Sequence, residues 1–146
     1  MMITKMNASH VSQIAELEKL CFSDPWSENS IASELENGLA HWLVALDGDT
    51  VAGYIGSQTV MGETDMMNVA VHPDHRRNGI AEAMVNALVE DLVGQGSRCL
   101  TLEVRASNTP AQRLYEKLGF VLIGKRPRYY HNPKEDAYIL RKEWEI

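Results

Sequence analysis

Hydrophobic and polar positions alternate along this chain with two different periods. Apolar residues recur every three or four positions between Val11 and Cys21, which predicts a helix after a short first strand at residues 3–5. Residues 42–46 and 51–60 follow the two-residue period of strands, and the Asp-Gly-Asp sequence between them is typical of a hairpin turn. The chain therefore begins with a mixture of helices and strands.

A second, shorter helix is predicted between the first helix and this hairpin. Ser27 is its predicted N-cap, because a serine hydroxyl accepts hydrogen bonds from the free backbone N–H groups of a first helical turn. Ile31 and Leu35 then lie one turn apart, and the pair Asn37-Gly38 ends the segment. Two helices in succession therefore separate the first strand from the hairpin.

The second half of the chain continues the same mixture. Its predicted elements are a helix from Gly79 to residues 94–96, strands at 66–71, 98–104, 120–125 and 137–140, and a short helix at 110–118. The strand at 66–71 completes an antiparallel meander with the hairpin. We therefore predict an α/β (α+β) fold, with a mixed, mostly antiparallel central sheet of about seven strands and about four flanking helices, in one domain over residues 1–146.

Composition narrows the classes of function. The net charge of −6 argues against a general nucleic-acid binder and suits a basic partner, although ordinary solubilising charge also explains it. The chain lacks an apolar run of the roughly 18 residues that span a bilayer and lacks a signal sequence, so we expect a soluble, cytoplasmic protein. Cys21 and Cys99 are expected to be reduced, buried thiols, and His72 and His75 lack a third ligand for a metal.

A strand-loop-helix junction at residues 68–82 contains the first candidate site. The first N–H groups of the helix that opens at Gly79 have no partner within the helix, so an anion such as pyrophosphate is a natural ligand there. Gly79 and Ala81 allow close approach, and Arg76 and Arg77 add positive charge. Alternatively, the glycine only relieves a tight turn and the arginines are solvated. The residues alone leave both interpretations open.

A second candidate site combines a carboxylate in a strand with a phenol in a helix. Glu103 lies on the face of its strand opposite the apolar residues, where it is a candidate for moving protons, part of a cross-strand salt bridge or a solvated residue at a sheet edge. Thr109 before Pro110 is the predicted N-cap of the next helix, whose apolar spacing turns Tyr115 towards the sheet. That tyrosine is either a core aromatic residue or a proton donor.

Motifs in both segments resemble those of the GNAT superfamily of acetyltransferases. Its acetyl-CoA signature is similar to Arg76-x-x-Gly79-x-Ala81, and a segment that flanks the cofactor is similar to Asn108-x-x-Ala111-x-x-Leu114-Tyr115-x-x-x-Gly119-Phe120. The resemblance implies the GNAT acyl-CoA N-acyltransferase fold, with acetyl-CoA as co-substrate and without a metal.

The resemblance also implies roles for individual residues. The implied cofactor-binding residues are Val69, Ala70 and Val71 through their backbone, Arg76, Arg77, Asn78, Gly79, Ile80, Ala81 and Glu82 in the phosphate loop, and Asn108. Glu103 is the implied general base and Tyr115 the implied general acid. The implied walls of a peptide groove are Trp26 and a loop between the last two strands that contains Tyr129 and Tyr130, for which packing at the sheet edge is the alternative.

One branch of the superfamily is similar to this chain nearly end to end. Its bacterial members acetylate the N-terminal alanine of a small-subunit ribosomal protein. The similar segments are Cys21-Phe22, Pro25-Trp26-Ser27, 68–71, 102–108, Arg128-Tyr129-Tyr130 and Glu135-Asp136-Ala137. The resemblance implies acetyl-CoA and the basic N-terminus of that protein as partners, and we expect a monomer that contacts neither nucleic acid nor membrane. The alternatives are a GNAT enzyme for another N-terminus, a lysine or a small amine, and a non-catalytic acyl-CoA-binding module.

Overall fold

Seven strands and four α-helices occur in the part of the chain that the computed structural model describes, residues 1–76, 78–131 and 133–144. The strands are β1 (Met2–Lys5), β2 (Ala40–Asp47), β3 (Thr50–Val60), β4 (Glu63–Val71), β5 (Cys99–Arg105), β6 (Val121–Tyr130) and β7 (Glu135–Glu143). The helices are α1 (Val11–Cys21), α2 (Glu28–Ser33), α3 (Ile80–Gly94) and α4 (Thr109–Lys117). The predicted fold class is confirmed.

The strands form one sheet in the order β1-β2-β3-β4-β5-β7-β6. Neighbouring strands pair antiparallel except β4 and β5, which pair parallel over Glu63–Asp65 and Cys99–Thr101. A parallel pair needs a crossover, and α3 provides it between these two strands. The predicted mixed, mostly antiparallel sheet is therefore present.

Helices cover both faces of the sheet. Adjacent residues of a strand point to opposite faces, so Val44 packs with α1 and α2 while Leu43 packs with α3. Tyr54 and Ile55 divide between the two faces in the same way. In the described ranges, no helix is both long enough and apolar enough to cross a membrane.

The sequence predicted the N-cap of α2 correctly but not that of α4. Ser27 caps α2 as predicted, with its hydroxyl accepting from the Ser30 N–H, although α2 ends early in a 3-10 turn at Glu34–Glu36. The predicted cap at Thr109 is wrong. Asn108 caps α4 instead, because its side-chain oxygen accepts from the Ala111 N–H at 3.2 Å. Thr109 thus becomes the first residue of the helix, where its N–H needs no partner within the helix.

Strand β6 runs past its predicted end at residue 125. It includes Tyr129 and Tyr130 as its last residues, so the prediction that both lie in a loop is wrong. Pro127 is tolerated because β6 is an edge strand, where a missing N–H need not interrupt pairing. The register against β7 shifts between Arg126 and Tyr130, which marks an irregularity of the β-bulge type.

Gly56 in β3 lies directly against the ring of Trp42. A Cβ atom at Gly56 would lie 2.6 Å from Cδ2 of Trp42, much closer than van der Waals contact allows. The tryptophan ring stacks on Tyr54 with a centroid separation of 5.9 Å, so it cannot move away without disturbing the core.

We expect Gly56→Ala to lower the free energy of unfolding by about 1–3 kcal/mol, because the added methyl group overpacks a filled core. Urea denaturation measures this change. Gly38→Ala is the matched control, since a Cβ there would meet nothing within 4 Å. Its effect should stay within about 0.5 kcal/mol. Equal losses in the two variants would contradict the close contact with Trp42.

Candidate functional site

Strands β4 and β5 separate after a short stretch of pairing. The paired residues end at Asp65 and Thr101, and β5 continues beside β7 while β4 continues beside β3. Beyond that point the facing edges of β4 and β5 are not paired with each other among the described residues. We call the space between them the β4–β5 gap. A free strand edge presents N–H and C=O groups that an extended, amide-containing ligand can bind.

The backbone of β4 faces this gap at two of the three predicted positions. The N–H of His72 donates to the carbonyl of Ala52 in β3 at 2.7 Å. Hydrogen-bonding directions alternate along an antiparallel strand, so Ala70 also turns its backbone towards β3. Val69 and Val71 turn their backbone groups away from β3 and into the gap.

Arg76 lies at the end of the gap. Its Nε donates to the Val71 carbonyl at 3.2 Å, and its Nη2 lies 3.6 Å from the thiol sulfur of Cys21. The guanidinium therefore places positive charge beside the last residue of β4. Arg77, the second predicted arginine, lies outside the described residues.

The turn before α3 depends on Gly79. Its φ of 73° is left-handed, a conformation that glycine adopts without the strain of a side chain. Gly79 is also the N-cap of α3 and has no side chain to cap it, so the first N–H groups remain available to an external acceptor. The glycine therefore relieves the turn and also leaves the helix end open, and anion binding there stays a prediction.

The side chains of the other predicted phosphate-loop residues differ in how exposed they are to a ligand. Ile80 is buried in the core, so its side chain cannot contact a ligand at the surface. Asn78 is exposed and Ala81 is half-buried. The carboxylate of Glu82 pairs with Lys117 Nζ at 3.1 Å, which leaves backbone binding as its possible contribution.

Tyr115 reaches the point where β4 and β5 separate. Its side chain is only 5% exposed, and its hydroxyl donates to the sulfur of Met66 at 3.8 Å. Met66 follows Asp65, the last residue of β4 that pairs with β5. Burial, and then the neighbouring Tyr130, raise the pKa of Tyr115 above its usual range. The phenol therefore keeps its proton at neutral pH.

Glu103 lies on β5 beyond the last residue paired with β4. Its side chain is 23% exposed and forms an ion pair with Arg126, with Oε1 3.3 Å from Nε. The cross-strand salt bridge that the sequence left as an alternative is thus present. The contact does not exclude a role as a base, because a base must be the ionised carboxylate and the ion pair requires the same form.

Tyr130 links these two groups. Burial, and then the charge of Glu103, raise the pKa of Tyr130 to about 12, and Tyr130 in turn affects Tyr115. Glu103 and Tyr115, which come from two other elements, therefore lie close enough to Tyr130 for electrostatic interaction with it. Tyr129 is 47% exposed, and its ring lies edge-on to Tyr130 at 5.1 Å.

A buried carboxylate that the sequence analysis missed holds Trp26. Glu18 is 1% exposed, and its Oε1 accepts from the Trp26 N–H at 2.8 Å. Its Oε2 accepts from Asn68 Nδ2 at 2.6 Å and from the Tyr54 hydroxyl. Asn68 directly precedes Val69, so this network joins the α1–α2 loop to the gap. The signal in the sequence was a carboxylate on the apolar stripe of α1.

Cysteine and histidine side chains take other roles. Cys99 is buried as predicted, but Cys21 is only half-buried because it lies at the end of α1, beside Arg76. His75 lies 3.2 Å from a carboxylate oxygen of Asp47. Within residues 1–76, 78–131 and 133–144, no group of three or more His, Cys, Asp and Glu side chains is suited to a metal ion.

We expect the stability of the protein to depend on the ionisation of Glu18. Burial raises the pKa of this carboxyl above its ordinary value of 4.5, so the folded state binds the proton more tightly than the unfolded state. Its contribution to stability is complete below that value and declines as pH rises through the folded-state pKa. Urea denaturation from pH 4 to pH 8 measures the decline as a loss of wild-type stability relative to Glu18→Gln as the pH rises.

The matched control for this experiment is Glu16→Gln in the same helix, since Glu16 is exposed and pairs only with Lys19 among the described contacts. Its difference from wild type should change little with pH. A difference for Glu18→Gln that is equally flat would contradict the raised pKa.

Comparison with known proteins gives a consistent result. The sequence model of the acetyltransferase (GNAT) family matches residues 11–120. A Bacillus subtilis (strain 168) protein provisionally named [ribosomal protein bS18]-alanine N-acetyltransferase is 37% identical over 139 residues, which cover 94% of this chain and 92% of that protein.

Solved structures extend the comparison to the fold. The crystal structure of the ribosomal-protein-S18-alanine N-acetyltransferase from Escherichia coli has a TM-score of 0.91 and 31% identity, covering 99% of this chain and 94% of that one. Arabidopsis thaliana NAA60 in complex with acetyl-CoA shares the fold, with a TM-score of 0.87, 18% identity and 97% of each chain covered. With its motifs, its separated strands and these similarities in agreement, the chain belongs to the acetyltransferase (GNAT) family.

Proposed function

We propose that this chain transfers the acetyl group of acetyl-CoA to the N-terminal α-amine of alanine on a small-subunit ribosomal protein of the bS18 type. The observation that carries the proposal is the β4–β5 gap, with Tyr115 where it begins and Glu103 beside it. The alanine substrate rests on similarity to relatives named for that reaction. The enzyme acts as a single-domain monomer in the cytoplasm, where ribosomal proteins are made, without contacting nucleic acid or membrane.

Acetyl-CoA binds along the edge of β4. The pantetheine arm pairs with the backbone of Val69 and Val71, as an added strand would. The pyrophosphate lies at the N-terminus of α3, whose first N–H groups lack a side-chain cap. The side-chain oxygen of Asn108 caps α4, so its amide nitrogen is the group that donates to the cofactor.

The reaction is a direct attack of the amine on the thioester carbonyl. An α-amino group has a pKa of about 7.7–8.0, against about 10.4 for lysine, so a carboxylate near neutral pH removes its proton readily. Glu103 takes that proton, directly or through water. A backbone N–H of Val69 or Val71 polarises the carbonyl oxygen.

Tyr115 assists departure of the coenzyme A sulfur. The thiol of coenzyme A has a pKa near 8.5, by analogy with cysteine. Full proton transfer to its thiolate from a phenol with a much higher pKa is therefore uphill. The hydrogen bond from Tyr115 therefore stabilises the developing charge first, and the proton moves as the C–S bond breaks. Phenolate formed in this step regains its proton from solvent.

The acceptor peptide lies between Trp26 on one side and Tyr129 and Tyr130 on the other. An extended N-terminus binds such a groove through backbone hydrogen bonds and side-chain pockets. The net charge of −6 suits the basic sequence that follows the terminal alanine in the proposed substrate.

The proposed activity is tested by acetyl transfer onto a peptide that begins with alanine and copies the ribosomal protein's N-terminus, detected by mass spectrometry. The same peptide with a blocked α-amine is the control. We expect a single acetyl group on the free amine and none on the blocked peptide. Transfer to free amino acids or polyamines but not to the peptide would favour a small-amine enzyme, and acetyl-CoA binding without any transfer would favour a non-catalytic module.

Glu103→Gln should lower kcat by about 10²- to 10⁴-fold, because the amide cannot accept the amine proton. Arg126→Ala is the discriminating control, since it breaks the same ion pair and leaves the carboxylate. Steady-state kinetics should show a much smaller loss for the arginine variant. Equal losses would assign Glu103 to the ion pair rather than to proton transfer.

Tyr115→Phe should lower kcat by about 10²-fold while the KM for acetyl-CoA and the thermal midpoint change little. Phenylalanine preserves the edge-on packing of Tyr115 against Phe120, whose ring centroid lies 5.3 Å away. Kinetics and thermal denaturation of the same preparation separate the two effects. Full turnover in this variant would make the phenol structural.

A further inference from the structure

Arg128 adopts a backbone conformation that residues with side chains seldom take. Its φ is 55°, in the left-handed region, and it lies where the register of β6 against β7 shifts. Such a residue persists only when contacts around it maintain the conformation. Tyr129 and Tyr130 follow directly, so the direction in which their rings point depends on this residue.

Asp136 in β7 maintains the conformation of Arg128. Its Oδ1 accepts from the Arg128 N–H at 2.8 Å, and its Oδ2 forms an ion pair with Lys125 Nζ at 3.1 Å. The backbone hydrogen bond from Arg128, and then the contact with Lys125, lower the pKa of Asp136. We call the hydrogen bond between Arg128 and Asp136 the β6–β7 latch.

Arg105 in β5 holds the turn that follows. Its guanidinium donates to the carbonyls of His131 and Pro133 at 3.1 Å and 3.0 Å, and both residues belong to the turn between β6 and β7. The same group lies 4.4 Å from the ring centroid of Tyr130 and 3.3 Å from a carboxylate oxygen of Glu135. Two contacts therefore position Tyr130. The β6–β7 latch fixes the backbone two residues before it, and the Arg105 guanidinium lies against its ring.

Asp136 and Arg105 both bind backbone groups of this region, and Arg105 also lies against the face of the Tyr130 ring. Arg128, Glu135 and Asp136 belong to the segments that the branch resemblance singled out, and no step of the proposed reaction uses them. Side chains that organise backbone beside a groove act on the substrate through the residues they position.

We propose that Asp136 and Arg105 are positioning residues for the acceptor peptide, and that the left-handed conformation of Arg128 sets the placement of Tyr129 and Tyr130. This inference rests on the proposed function. It assigns the β6–β7 latch to the binding of the peptide and not to the binding of acetyl-CoA, because the proposed acetyl-CoA site lies at β4 and the N-terminus of α3.

The first test compares Asp136→Ala, Asp136→Asn and Lys125→Ala. Alanine removes the latch, asparagine keeps an acceptor for the Arg128 N–H, and Lys125→Ala removes only the exposed ion pair. We expect Asp136→Ala to raise the KM for the peptide at least about tenfold, the order expected when a hydrogen bond to a charged group is lost. The KM for acetyl-CoA should stay within about twofold, and the other two variants should remain near wild type.

A merely structural role would give a different pattern. In that case Asp136→Ala would lower the thermal midpoint and raise both KM values together, and asparagine would not rescue the peptide KM. Either result would overturn the proposal.

The second test changes the backbone preference at Arg128. Glycine adopts the left-handed conformation freely, whereas a β-branched valine resists it. Arg128→Gly should therefore raise the peptide KM less than Arg128→Val does. The opposite order, or equal losses, would assign the effect to the arginine side chain and contradict the role of its backbone.

A readout without substrate separates this inference from the proposed function. The NMR signals of the Tyr129 and Tyr130 rings should shift in Asp136→Ala and stay in place in Lys125→Ala. Unchanged ring signals in Asp136→Ala would overturn the latch even if the wild type acetylates the peptide. A wild type that leaves the peptide unmodified would overturn the proposed function and the peptide-binding role with it, while the ring signals would still decide whether the latch positions the tyrosines.

Discussion

The parallel pairing between β4 and β5 ends at Asp65 and Thr101, and the geometry of the candidate site follows from that separation. Buried or half-buried backbone groups need hydrogen-bond partners. Where two strands separate inside a sheet, the N–H and C=O groups on their facing edges therefore need partners from another molecule. The crossover through α3 brings a helix N-terminus to the end of the same strand. The two features together favour a ligand that has both amide groups and phosphates.

Polar contacts, rather than apolar packing alone, position the groups around the gap. Glu18 holds the α1–α2 loop through the backbone of Trp26, and Arg105 holds the turn between β6 and β7. A buried carboxylate is unfavourable unless several donors satisfy it, and Glu18 has three. Hydrogen bonds to charged side chains are directional, so they fix the orientation of a loop more narrowly than a hydrophobic contact does.

Several local features of the fold were predictable because they depend on near neighbours in the chain. The span of α1, the hairpin between β2 and β3, the serine cap at Ser27 and the inward orientation of Tyr115 all agree with the structure. The errors arose where two residues compete or where tertiary position matters. Asn108 caps α4 in place of Thr109, and β6 continues through Pro127 because it lies at the sheet edge.

The sequence by itself determined the periods of its strands and helices, the glycine turn before α3 and the family to which the chain belongs. Only the tertiary structure decided which side chains share the site. Glu103, Tyr115 and Tyr130 come from β5, α4 and β6, and the ion pair of Glu103 with Arg126 joins two strands that are separated in the sheet by β7. The burial of Glu18 likewise depends on residues distant along the chain, because burial and long-range hydrogen bonds are properties of packing, which no local pattern of residues encodes.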